Sequence, residues 1–114
     1  MLAAIHCHPA RAAVDCTAPA DLCAMVEASA GIFARALPAE IEPGLRLETV
    51  RREDVTLVIG LNAAADRAAP DATALAAYAC ADPGLRAVII AGGAVAFRTG
   101  ERDIGTISVC PEDF

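Results

Sequence analysis

Over residues 21–37 the apolar side chains Leu22, Met25, Val26, Ile32, Phe33, Ala36 and Leu37, with Ser29 on the same stripe, recur three and four positions apart, while Glu27 and Arg35 fall elsewhere. That spacing predicts an amphipathic helix with one face against a core. Pro38 ends it, because the residue before a proline is pushed out of helical backbone space. Gly31 costs a helix interior about 1 kcal/mol relative to alanine, so a close neighbour is expected beside it. After the Pro43-Gly44 loop the period changes to two. Leu45-Arg46-Leu47-Glu48-Thr49-Val50 alternates, and so does Val55-Thr56-Leu57-Val58-Ile59-Gly60-Leu61, with its odd positions apolar. Two strands follow, joined into a hairpin by a polar turn over residues 51–54. Residues 62–69 read as a connection.

Pro70-Asp71 opens a second helix carrying Leu75, Tyr78 and Cys80, proline being suited to a first helical turn. Asp82 and Pro83 are the cap and first position of a third, short helix with Leu85, Val88 and Ile89 inward, which Gly92-Gly93 stops. Residues 95–98 and 104–109 flank a turn at 99–103 containing Gly100 and form a second hairpin. The predicted order is αββααββ. The expected fold class is α+β: one four-stranded antiparallel sheet with the helices packed on one face.

The 114 residues suffice for one domain and no more. Of the chain 56% is apolar, yet it has three Phe, one Tyr and no Trp, so the core is built mainly of aliphatic side chains. All nine basic residues are arginine, and the net charge is −6. Without clustered cations or interleaved aromatic residues, nucleic acid is not an expected partner. The longest uncharged apolar run, residues 87–97, is well short of the ~20 residues needed to span a bilayer.

Residues 1–12 read as the remnant of an export signal, and residues 13–114 as a single α+β domain. A short apolar stretch precedes Pro9, and Ala10-Arg11-Ala12 offers small residues at the two positions a signal peptidase reads. A competing reading takes His6, Cys7 and His8 as metal donors that, with Cys16 and Cys23, bind copper or zinc. Adjacent donors in one extended tripeptide diverge, and the spacing matches no usual zinc pattern.

Cleavage after Ala12 leaves a domain with neither histidine nor lysine. Such a domain has no Ser-His-Asp triad, no Cys-His pair, no Schiff-base lysine and no P-loop. No catalytic residue is assigned and no cofactor is expected. Glu101, Asp103, Glu112 and Asp113 are the carboxylates from which an acid and base pair could be drawn, but around a hairpin turn and a terminus solvated charge is the ordinary state. Asp66 and Asp71 read as solvated or capping groups. Ser29 and Ser108 lack the G-x-S-x-G context of a nucleophile elbow.

Five cysteines contain no C-x-x-C pair. Cys16 and Cys23 can pair across the start of the first helix, and Cys80 and Cys110 can tie the second helix to the last strand. Structural disulfides are the expected role, since no helix N-terminus or basic neighbour is evident to lower a thiol pKa. A buried free thiol at Cys80 is the alternative to its bridge.

From Phe33 onward the order of features resembles a group of small exported proteobacterial proteins of unknown function. The residues that carry the resemblance are Leu37-Pro38, Leu45-Arg46-Leu47, Cys80-Ala81-Asp82-Pro83, Gly92-Gly93, Gly105-Thr106-Ile107-Ser108-Val109 and Asp113-Phe114. The chain is also similar to a quorum-sensing-regulated family of small secreted proteins of pseudomonads. The group's pattern ends in cysteine where this chain has Phe114, so a family bridge starting at Cys80 implies a partner displaced to Cys110.

The expected function is that of an exported, periplasmic or secreted, non-enzymatic module that binds a protein or envelope component. The alternatives are a periplasmic metal- or thiol-handling protein using His6, Cys7, His8, Cys16 and Cys23, and a carboxylate-dependent hydrolase.

Overall fold

The computed structural model describes residues 16–64, 70–100 and 102–111. Helix α1 (Ala20–Ala34) starts where the Pro19 carbonyl accepts from the amides of Leu22 and Cys23. It is shorter than the periodicity suggests. From Arg35 to Leu37 the amides bond three residues back, to Ile32, Phe33 and Ala34, so the tail is a tightened turn. Its buried line is Cys23, Val26 and Ala30, shouldered by Leu22, Met25, Phe33 and Leu37. Ile32 falls off this line and is 65% exposed. Gly31 is exposed too, and a Cβ there would meet none of the described residues within 4 Å, so among them the expected close neighbour is absent.

Five strands follow, not four: β1 (Ala39–Glu42), β2 (Leu45–Glu53), β3 (Thr56–Ala63), β4 (Ala94–Thr99) and β5 (Arg102–Ile107), laid side by side in chain order. β1 escapes a periodicity reading because Ala-Glu-Ile-Glu holds one large apolar residue, Ile41. The sheet is also mixed and not purely antiparallel. β3 and β4 pair in parallel, from Thr56 opposite Ala94 to Leu61 opposite Thr99, because two helices intervene and bring the chain back to the end from which β3 started. These are α2 (Ala72–Ala81) and α3 (Pro83–Ile90).

The predicted hairpin turn at residues 51–54 is mostly strand. Polar Arg51, Arg52 and Glu53 stay in β2, and only Asp54-Val55 turns, with Asp54 at φ 56°. A register shift between Leu47 and Thr49 inverts the alternation, so Leu45 and Leu47 face inward before it and Val50 and Arg52 after it. Asp71 caps α2 by accepting from the Ala74 amide at 2.8 Å, which places Pro70 just outside the helix and not in its first turn. Asp82 caps α3 through Leu85 N at 3.0 Å, with Pro83 in the first turn. Gly92, at φ 110°, takes the left-handed conformation that ends α3.

The helices cover one face of the sheet. Leu45, Leu47, Leu57, Ile59, Leu61, Val95, Phe97 and Ile107 meet Val26, Ala30, Leu75, Ala79, Leu85, Val88 and Ile89 in one core. Val58 and Ala96 lie outside that cluster, on the other face, yet are 1% and 3% exposed. In register Val58 stands between Arg51 and Ala96, and on this face Glu53 accepts from Arg51 and Arg98. No single helix among the described residues is long and apolar enough to cross a membrane.

Candidate functional site

Two concave regions among the described residues are lined by ionisable or sulfur-bearing side chains. The larger is a groove of about 360 Å³ where the tail of α1 passes over β1, β2 and the α2–α3 junction. Ile32, Phe33, Leu37, Leu47 and Leu85 form its apolar wall, and Ser29, Tyr78 and Asp82 contribute polar groups. The tightened turn after α1 matters here, because it carries Ala36 and Leu37 to the rim before Ala39 enters the sheet. Tyr78 is anchored from below by Phe97, edge to face at 6.3 Å between ring centroids. Half-burial pushes the Tyr78 phenol above its ordinary value, and the Asp82 carboxylate adds to the rise.

The second region, about 270 Å³, lies beside the start of α1 and is lined by Cys16, Ala18, Ala20, Cys23, Ala24, Glu27 and Arg52. Cys16 and Cys23 are disulfide-bonded across it, Cα atoms 6.2 Å apart. Cys23 is buried in the first turn of α1, whereas Cys16 is half-buried. The β2–β3 turn brings Asp54 to the same place. Its Oδ1 accepts from the Thr17 amide at 2.7 Å, and its Oδ2 accepts from Thr17 Oγ1 at 2.9 Å. These bonds, the backbone one first, hold the Asp54 carboxyl below its usual value. Arg52 supports the turn by donating Nη1 to the Asp54 carbonyl at 2.8 Å.

Cys80 and Cys110 form the second disulfide, with Sγ atoms 2.03 Å and Cα atoms 5.7 Å apart. Cys80 is 1% exposed in the core, and the bond ties α2 to the chain just beyond β5. The structure therefore brings together Cys16 with Cys23, and Cys80 with Cys110. His6, Cys7, His8, Asp66, Glu101, Glu112 and Asp113 lie outside the described residues, as does the expected cleavage site after Ala12. Asp103 is exposed on β5, within 3.5 Å of Thr106 Oγ1. Ser29 lines the groove, and Ser108 is exposed.

Sequence reading passed over Asp54, Thr17 and Arg52. The available signal was Asp54 itself, since aspartate is among the residues that tolerate positive φ in a two-residue hairpin turn. Nothing in one sequence relates that turn to Cys16, which lies far upstream.

No family model matches the chain, and no curated protein matches it. Among solved structures, the fold is similar to that of a candidate secreted protein of Pseudomonas aeruginosa, known from a crystal structure at 1.60 Å resolution. The two agree with a TM-score of 0.61 over 78% of this chain and 90% of the other, at 19% sequence identity. The likeness establishes a shared fold. It meets the resemblance to small secreted pseudomonad proteins at the level of architecture.

Proposed function

We propose that the protein works outside the cytoplasm as a binding module with no catalysis of its own, seating apolar side chains of an envelope or secreted protein in the groove between α1 and the α2–α3 junction. The observation that carries this reading is the groove: apolar walls, polar groups from both α1 and the α2–α3 junction, and Ile32 in its lining with 65% of its surface in solvent. At about 360 Å³ it falls near the small end of ligand pockets, about 300–1,000 Å³, a size suited to a few side chains. Export is supported by the two disulfides, which persist in oxidising compartments.

A photo-crosslinking residue placed at Ile32 of the exported protein, in its own cells, tests the proposal. A discrete protein adduct is expected, and Ala36→Trp, which fills the groove from its rim, is expected to abolish it without lowering the melting temperature. An adduct insensitive to the filling substitution, or no adduct, overturns the reading.

A further inference from the structure

We infer that Cys16, Cys23 and Asp54 form a redox-gated binding site for a borderline-soft divalent cation of the zinc class, closed while the two sulfurs are bonded to each other and opened by a dithiol reductant. The two sulfurs and one Asp54 carboxylate oxygen all lie within 4.8 Å of one another. Among the described residues no other group of three metal-capable side chains converges in this way. Tetrahedral zinc takes sulfur at about 2.3 Å and carboxylate oxygen at about 2.0–2.2 Å, so three of its donors stand roughly 3.5 Å apart. Once the sulfurs part from bonding distance, the three donors need only small side-chain movements to reach that spacing.

Three features make this more than proximity. The donors come from separate elements, Cys16 from the segment before α1, Cys23 from its first turn and Asp54 from the β2–β3 turn, and so they approach from different directions. The carboxylate is already oriented by the Thr17 amide and hydroxyl, the kind of outer hydrogen bonding that ligating carboxylates use. The competing cation is occupied: Arg52 donates Nε to Glu27 at 2.8 Å and Nη1 to the Asp54 carbonyl. The adjoining pocket leaves a fourth position for water or an exchangeable ligand.

The gating step balances. A thiolate of the dithiol attacks half-buried Cys16 Sγ, the Sγ–Sγ bond breaks, and Cys23 leaves with the electron pair. The second thiol of the reductant then closes its own disulfide and releases Cys16. The dithiol loses two electrons, and Cys16 and Cys23 gain them with two protons, which the incoming cation displaces. Among the described residues no carboxylate joins Cys80 and Cys110 in a group of three donors.

The test uses the full chain, oxidised and after reduction with a phosphine, titrated with Zn²⁺ against a chromophoric chelator and with Cd²⁺ read by sulfur-to-metal charge-transfer absorption. The reduced protein is expected to bind one cation per chain, and the oxidised protein none. Asp54→Asn, which keeps the turn's tolerance of positive φ, is expected to weaken binding at least 10-fold. Cys16→Ser is expected to remove the charge-transfer band. The Cys80→Ala/Cys110→Ala and His6→Ala/Cys7→Ala/His8→Ala variants are expected to leave the stoichiometry unchanged. Equal binding by the oxidised form, no binding by the reduced form, or an affinity indifferent to Asp54→Asn overturns the inference.

Discussion

Arg52 on β2 donates its Nε to Glu27 on α1 at 2.8 Å, but the two ends of this bond live in different surroundings: 7% of the Arg52 side chain is exposed, against 65% for Glu27. A solvated carboxylate gives such a pair about 0–1 kcal/mol. The arginine stem, packed between helix and sheet, loses apolar contact as well as charge when it is truncated. Glu27→Ala is therefore expected to cost less than about 1 kcal/mol and Arg52→Ala about 1–3 kcal/mol, read from urea midpoints at unchanged slope. Equal losses would show that the ion pair and not the buried stem carries the contact.

Two glycines should answer alanine in opposite directions. At Gly31 a Cβ inside a helix meets none of the described residues, so Gly31→Ala is expected to stabilise the protein by about 0.5–1 kcal/mol. At Gly93 a Cβ would stand 2.7 Å from the Val55 carbonyl oxygen and 3.1 Å from that of Val88. Those are backbone atoms, and the same two oxygens accept from the amides of Ala94 and Gly93 where α3 hands over to β4. Gly93→Ala is expected to cost about 1–3 kcal/mol. Thermal melts of the two variants, rising and falling respectively, check both.

The single tyrosine makes an alkaline titration unambiguous. Burial, with the Asp82 charge behind it, raises the Tyr78 phenol above 10.0 in the folded protein. Below that value the phenol is protonated in both states and its contribution to stability is complete. As pH climbs past 10.0 the unfolded chain ionises first, so stability falls until the raised folded pKa is passed. Tyrosinate absorbance should appear later in the native protein than in urea, and Tyr78→Phe should flatten this part of the stability profile. Coincident absorbance curves would contradict the expectation.

The two disulfides close loops of different length, 30 residues for Cys80–Cys110 and 7 for Cys16–Cys23. On chain-entropy grounds they contribute about 3–4 and about 2 kcal/mol respectively. Cys110→Ser should thus lower the melting temperature more than Cys16→Ser, and by about as much as selective reduction of that bond does. The reverse order would mean that anchoring the segment before α1 outweighs loop closure.

Much of the fold was legible because its elements announce themselves locally. The caps at Asp71 and Asp82, the stop at Gly92 and the alternation of Leu57, Ile59 and Leu61 all follow from residue type and spacing. What escaped reading depends on partners far along the chain. Arg51, Arg52 and Glu53 look like a turn until Arg98 and Glu27 are brought beside them, and Ala39–Glu42 is too short to show a period without β2 next to it. The parallel pairing of β3 with β4 is a property of the crossover. The cysteines were visible as candidates from composition and placement, but the carboxylate beside Cys16 and Cys23 arrives through a hairpin turn whose distance from α1 no local pattern encodes.

The Cys80–Cys110 bond also turns part of the chain into a covalent ring that contains α3, β4 and β5. A cut within that ring, at the β4–β5 turn beside Gly100 for example, opens the ring but severs nothing: both new ends remain joined to the rest of the molecule through the sulfur bridge. β5 lies at one margin of the sheet, where a nicked strand would otherwise peel away, and here it stays tethered next to its seat. Under attack by a protease, losing this hairpin takes a second cut within the ring or loss of the bridge, and a single nick is a wound the fold can survive.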